Sequence, residues 1–245
     1  MNNKIAIQIK DLTVAYNIKP VLWDIDIDFF DSSLTAVVGP NGAGKSTLVK
    51  TMIELIPKIS GNILFNNQKY KQIRKKISYV PQRNSVDWHF PITVFDVVLM
   101  GRYGHLGWFK RPTQEDKKIA LQALKELDMI PFMNRQISEL SGGQQQRIFL
   151  ARSLAQQGEI YLMDEPFQGV DIQTERKIIC LLKSLKKKNK TIIVVHHDLT
   201  TVQKYFDYVV FLNVQKIASG PVSYVFNNEN IQKTYSNQML IKLNN

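Results

Sequence analysis

The sequence predicts an α/β fold with an N-terminal β-subdomain and a helical insertion. Three observations predict it. An apolar strand, LTAVV, runs directly into a glycine-rich loop and then a helical stretch, KSTLVKTMIEL. From residue 160 onward strands and helices alternate, as in a mostly parallel sheet covered by helices. Between residues 93 and 156 that alternation stops, and successive segments carry helical periodicity.

Each element follows in order. Residues 4 to 38 read as strands: IAIQIKDLTVAY, VLWDIDIDF and LTAVV. The N-terminal β-subdomain is expected to be antiparallel. Short strands GNILFN and ISYV come next. VFDVVLM, TQEDKKIALQALKELDM and GQQQRIFLARSLAQ then read as helices. Thr113 and Asp116, just after Pro112, fit a capping box. Strand IYLMD, helix TERKIICLLKSLKK, strand TIIVV, helix LTTVQKYF and strand YVVFL complete the alternation. The end, residues 226 to 245, fits a packed helix or a loose tail equally well. The expected organisation is one domain, with 1–82 and 158–245 as the core and β-subdomain and 83–157 as the helical subdomain.

Composition narrows the classes. The chain has 245 residues, 44% hydrophobic and 22% charged, as in an ordinary globular protein. No apolar run approaches the ~20 residues that span a bilayer. The start, MNNKIAIQIKD, lacks the apolar stretch of a signal peptide, so a cytosolic location is expected. The single cysteine, Cys180, lies in the apolar pattern IICLLKSL and is expected to be a buried structural thiol. His89, His105, His196 and His197 show no metal-site spacing, so no structural metal is expected. Net charge is +11. The dense run Lys186-Lys187-Lys188-Asn189-Lys190 fits a solvated turn, with anionic lipid or a polar partner as the alternatives.

Three motifs carry chemistry. GPNGAGKST comprises Gly39, Pro40, Asn41, Gly42, Ala43, Gly44, Lys45, Ser46 and Thr47. It has the G-x-x-x-x-G-K-[ST] spacing between a strand and a helix, the context of a phosphate-binding loop. Gly42 and Gly44 let the backbone curl so that its amides point at phosphates, and the helix N-terminus adds its dipole. Lys45 suits the β- and γ-phosphates, Ser46 a Mg²⁺ ion and Thr47 the α-phosphate. The fold class is therefore a P-loop NTPase core, with the antiparallel β-subdomain and the helical insertion added to it. IYLMDEP ends a strand in two carboxylates: Asp164 suits Mg²⁺, and Glu165 suits a general base acting on water. LSGGQQQR places Leu140, Ser141, Gly142, Gly143 and Gln144 at the start of a helix, where amides and a hydroxyl make a second anion site.

LSGGQQQR resembles the signature of ABC transporter ATP-binding subunits, and it lies in the helical insertion. The resemblance covers roughly residues 4 to 225. It implies that ATP lies between one copy's phosphate loop and the other copy's signature, and hence a homodimer. Other family motifs follow in order. Tyr16 resembles the aromatic that stacks on adenine, although a core tyrosine fits the same strand. Gln82, after ISYV and Pro81, resembles the glutamine that contacts Mg²⁺ or water; a solvated loop glutamine is the bland alternative. His197, followed by Asp198, resembles the histidine that bonds the γ-phosphate. Asp171 resembles the aspartate of the D-loop at the dimer interface. Here the chain departs from the family: Gln168-Gly169-Val170-Asp171 stands where most members have Ser-x-Leu-Asp.

PQRNSVDWHFPITVFDVVLMGRYGHLGWFKRP, residues 81 to 112, and EPFQGVD resemble the group that takes up manganese, zinc or iron. The resemblance implies ATP and Mg²⁺ as cofactors and integral membrane permease subunits as partners. It also implies an extracytoplasmic solute-binding protein and a place on the cytoplasmic face of the membrane. Siderophore or haem importers and exporters are the neighbouring readings. Trp88, Phe90, Phe95, Tyr103, Trp108 and Phe109 fit either a groove for a permease helix or the core of the helical subdomain, with Trp108-Phe109-Lys110-Arg111 the part expected to be exposed. A chromosome-maintenance ATPase would insert long coiled coils, and residues 48 to 139 hold no sustained heptads. A ribosome-associated factor would carry two cassettes. No nucleic-acid partner is expected.

Overall fold

The computed structural model describes residues 4–17, 19–83, 87–88, 90–106 and 110–243, with the side chains of 237–243 outside the description. The expectations for His89, Trp108 and Phe109 lie outside the described residues. Contacts divide the chain into two compact units: Met1–Arg74 with Leu185–Asn245, and Lys75–Ser184.

In the first unit, β1 (Ile5–Tyr16) and β2 (Lys19–Phe30) form a long antiparallel pair, with Ile9 opposite Ile27 and Ile7 opposite Phe29. All four are buried, so one face of this pair is core. A later strand, β4 (Ser60–Phe65), adds to the other edge of β1 and completes an antiparallel three-stranded sheet. Between β2 and β4 come β3 (Leu34–Val38), the phosphate loop and α1 (Lys45–Met52). Helix α1 stops short of the apolar pattern that continues to Leu55. Glu54 turns into the left-handed region at φ 58°, which closes a helix end. α2 (Tyr70–Ile73) packs on β4.

The rest of this unit comes from the C-terminal part of the chain. β7 (Thr191–Val195), β8 (Tyr208–Asn213) and β9 (Gln215–Pro221) join β3 in the order β7-β3-β8-β9. β3 runs parallel to both β7 and β8, and β9 is antiparallel to β8. LTAVV and TIIVV are buried at every position, as strands covered on both faces must be. α8 (Leu199–Tyr205), α9 (Val222–Val225) and α10 (Asn228–Leu243) complete the unit, with α10 packed on β8 and β9. Over its described residues the C-terminal segment is thus a helix that packs on β8 and β9 rather than a loose tail.

The second unit holds the parallel pair β5 (Ile77–Val80) and β6 (Ile160–Asp164). Its helices are α3 (Val94–Leu99), α4 (Tyr103–Leu106), α5 (Gln114–Glu126), α6 (Gly142–Ala155) and the start of α7 (Ile172–Lys187). α3, α5 and α6 pack on one another, and α6 also packs on β5. That packing groups β5 and β6 with the helices, whereas the motifs alone divide the chain at 83 and 157.

The expected capping box opens α5: Asp116 N–H donates to Thr113 Oγ1 at 3.2 Å, and Thr113 N–H to Asp116 Oδ2 at 2.9 Å. Arg102 Nε donates to the same carboxylate at 2.9 Å, while its Nη1 donates to the Ala155 carbonyl at 2.9 Å and Gln157 Oε1 at 3.0 Å. One buried guanidinium therefore ties the start of α5 to the end of α6. The Thr113 hydrogen bonds first, then the Arg102 bond, hold the Asp116 carboxyl down at about 2.

One expectation is corrected. Cys180 is exposed, not a buried thiol. The buried face of α7 is Ile178, Ile179, Leu182 and Leu185. At 3.6 residues per turn, Cys180 falls outside that stripe.

Candidate active site

The phosphate loop belongs to the first unit, and its shape is set by backbone. Gly42 and Gly44 sit at φ 81° and 92°, where a side chain is strained. A Cβ on Gly44 would lie 2.7 Å from the Val21 carbonyl oxygen, and one on Gly39 would lie 2.0 Å from that of Leu212. Ala43 N–H donates to the Pro40 carbonyl at 3.2 Å, and its own carbonyl accepts from Val214 N–H at 3.1 Å. Lys45 is buried, and its ammonium donates to the Gly39 and Pro40 carbonyls, each at 2.8 Å. Ser46 and Thr47 follow in the first turn of α1. Nothing stands within 4 Å of a Cβ placed on Gly42, so the outer side of the loop is open. Anion-seeking amides, a cation and open space together suit a nucleotide's phosphates.

Two further site candidates share this unit. Tyr16 ends β1 and is 52% exposed, so it is not the core tyrosine that its strand also allowed. The two histidines differ sharply. His196 is 2% exposed and its Nε2 pairs with Thr201 Oγ1 at 2.7 Å. Burial, and then the neighbouring His197, push its pKa down to about 4. His197 is exposed. Asp198 caps α8, accepting from the Thr200 amide at 2.9 Å and hydroxyl at 2.6 Å.

The second unit carries the remaining candidates. Asp164, the last residue of β6, is fully buried. Glu165 follows at φ 52°, a left-handed conformation uncommon for any residue but glycine and of the strained kind that clusters at functional sites. Gln82 Nε2 donates to Glu165 Oε2 at 3.0 Å. Two candidates 83 residues apart in sequence are thus brought into contact. Within this unit the buried Asp164 carboxylate and the Gln82 amide carbonyl are hard oxygen donors, the kind that Mg²⁺ prefers.

Ser141 is the N-cap of α6, and Gln144 closes a capping box on it. Gln144 N–H reaches Ser141 Oγ at 3.4 Å, and Ser141 N–H donates to Gln144 Oε1 at 2.9 Å. Leu140 is buried just before the cap. A Cβ on Gly143 would stand 3.1 Å from the Gly169 carbonyl oxygen, so the signature packs on the segment leading to Asp171. Asp171 caps α7 through the Thr174 amide at 2.9 Å and hydroxyl at 2.7 Å, and those bonds hold its carboxyl below the usual carboxylate range.

Sequence reasoning missed Arg83. Its Nε donates to Gln145 Oε1 at 3.1 Å, and Gly142 leaves the space that its guanidinium fills. The signal available was its position directly after Gln82. Of the aromatic stretch, Trp88 packs edge-on against Phe149 and bonds the Arg83 carbonyl at 3.0 Å, while Phe90 and Tyr103 are exposed.

A strand, glycine loop and helix with a buried lysine, followed by a strand ending in two carboxylates, define a P-loop nucleotide-hydrolysing protein. The comparisons give the family. The sequence profile described as "ABC transporter" matches residues 22–168. The chain is 53% identical over 234 residues to the zinc transport system ATP-binding protein TroB of Treponema pallidum, covering 96% of this chain and 88% of that one. It is 53% identical over 233 residues to the manganese transport system ATP-binding protein MntB of Bacillus subtilis, covering 95% and 93%. An inward-facing structure described as a metal-chelate type ABC transporter superposes with a TM-score of 0.82 at 28% identity, covering 96% and 90%. A dimeric bacterial ABC transporter cassette superposes at 0.78 with 27% identity, covering 88% and 98%. The chain belongs to the ABC transporter family, as an ATP-hydrolysing subunit.

Proposed function

We propose that this chain powers the import of a divalent metal ion, manganese, zinc or iron, through a separate membrane permease. The observation that carries the reading is near-complete alignment at 53% identity with subunits of a zinc and a manganese transport system. The working unit is a homodimer on the cytoplasmic face of the membrane, with integral permease subunits and an extracytoplasmic solute-binding protein. Among the described residues no helix is long and apolar enough to cross a membrane. Attachment through the permease is part of the proposal. Exposed Phe90 and Tyr103 are candidates for the surface that receives a permease helix.

The residues take these roles. Tyr16 stacks on adenine. The amides of Gly39 to Thr47 and the Lys45 ammonium hold the phosphates. Leu140, Ser141, Gly142, Gly143 and Gln144 present the helix start to the other copy's ATP, and Asp171 faces the dimer interface. Glu165 takes a proton from the attacking water, and Gln82, bonded to it, orients it. His197 bonds the γ-phosphate, because His196 is buried and held neutral. Ser46, Asp164 and Gln82 would hold Mg²⁺. That ion would supply a Lewis acid that offsets charge on the phosphoryl oxygens. ATP favours the closed dimer only by binding it better than the open one.

The test is co-purification with the permease, followed by uptake of Mn²⁺, Zn²⁺ and Fe²⁺ with and without this chain. Loss of uptake of one of the three is expected. Unchanged uptake of all three overturns the metal reading. Loss of uptake of an iron chelate alone would favour the chelate alternative, which the structural likeness to a metal-chelate type transporter supports.

A further inference from the structure

The phosphate loop rests on a turn that its own motif does not include. β8 and β9 are joined at Val214, with Asn213 opposite Gln215. Val214 sits at φ 60°, where a β-branched residue is a genuine outlier. Such strain persists only where the surroundings over-determine it. Two bonds do so here. Val214 N–H donates to the Ala43 carbonyl at 3.1 Å, and the Val214 carbonyl accepts from Trp23 N–H at 2.8 Å. Just before the turn, the Leu212 carbonyl oxygen occupies the space that a side chain on Gly39 would need. The loop's first residue and its middle residue therefore both lie against this turn.

The C-terminal helix holds the turn in place. Asn213 Nδ2 donates to the Thr234 carbonyl of α10 at 2.9 Å. Thr234 is fully buried, and its hydroxyl donates to the Asn230 carbonyl at 2.6 Å. The next residue, Tyr235, has a buried hydroxyl on the Gly39 side of the helix. Burial pushes that phenol up to about 12, and the Gly39 amide pulls the other way. The contact falls short of full hydrogen-bond geometry, so the Asn213 bond is the firmer link.

We propose that α10 and the β8–β9 turn brace the phosphate loop in its nucleotide-ready shape, with Asn213 as the positioning residue that joins helix to loop. The proposal rests on the reading of Gly39 to Thr47 as the phosphate-binding loop and adds a C-terminal element to it. Once the Asn213 bond is lost, only the two Val214 bonds hold the turn, and Val214 relaxes out of the left-handed region part of the time. Ala43 then loses its donor, and the loop spends part of its time in shapes whose amides do not converge on a phosphate. Apparent affinity falls by the fraction of time spent in the competent shape.

The test is titration of the full chain with ADP at a temperature where every variant is folded. Asn213→Ala is expected to weaken ADP about fivefold, the equivalent of one ordinary hydrogen bond. Asn230→Ala is the control. It removes a bond from the same helix to the Val225 carbonyl without touching the turn, and ADP affinity should stay at the wild-type value. Equal weakening by both variants would mean general loosening of the helix and would overturn the positioning role. Wild-type affinity in Asn213→Ala, with binding lost in Lys45→Ala, overturns the brace and leaves the phosphate-loop reading intact. Wild-type affinity in Lys45→Ala removes the reading and the brace together. Should Asn213→Ala fail to fold, Asn213→Asp is measured instead. It sets an acceptor against the Thr234 carbonyl and should weaken ADP at least as much.

Discussion

The phosphate loop and the start of α6 both present backbone amides at a helix N-terminus, and the protein fixes them in opposite ways. The loop is shaped mostly by main chain against main chain, with the Lys45 ammonium bonded to the Gly39 and Pro40 carbonyls. Carbonyls of Val21 and Leu212 fill the places where side chains would go, and Ala43 is bonded through its own amide and carbonyl. The start of α6 is held by side chains: Ser141 and Gln144 close a box, and Arg83 reaches Gln145. Main-chain constraints leave little room for a change of side chain at Gly39 or Gly44. Side-chain constraints each contribute a little, so the second region can be adjusted in small steps.

Four substitutions or conditions sharpen that contrast. The largest effect on nucleotide binding is expected at Lys45, and the others are effects on stability. Lys45→Ala removes a charged donor from the loop and should weaken ATP about 100-fold by calorimetric titration. Next is Arg102→Met in the helical unit, which leaves Asp116 buried without its partner. It should cost about 3 kcal/mol in urea unfolding.

Third is pH. The folded pKa of His196, about 4, lies below the ordinary value of 6.5, so the unfolded chain binds the extra proton first. The stabilisation is complete above pH 6.5 and is lost as pH falls towards 4, by about 3 kcal/mol in total. His196→Gln should flatten that part of the stability–pH curve. Smallest is Ser141→Ala, which removes one cap and should cost about 1 kcal/mol of stability.

Much of the fold was legible because periodicity was strong. LTAVV, ISYV, IYLMD and TIIVV match their strands residue for residue. β9 was not legible: QKIASGP has no clear alternation and is held by pairing with β8. α10 was open between helix and tail, because NENIQKTYSNQ carries no apolar stripe. Cys180 was misjudged because an apolar run does not show which residues face the core.

The site was legible as a set of residue types and not as contacts. No spacing rule joins Gln82 to Glu165, and only folding makes that bond. Val214 gave no signal either, because nothing in the sequence marks a valine for the left-handed region.

The central claim is that each chain carries one half of each of two ATP sites, a phosphate loop for one and a signature for the other, and that a second copy completes both. The most direct measurement is the mass of Glu165→Gln by light scattering, with and without ATP and Mg²⁺, beside its rate of phosphate release. The account predicts a monomer without nucleotide and a stable dimer with ATP that releases phosphate at least about 100-fold more slowly than the wild type. A variant that remains monomeric with ATP bound, or that releases phosphate at the wild-type rate, would contradict it.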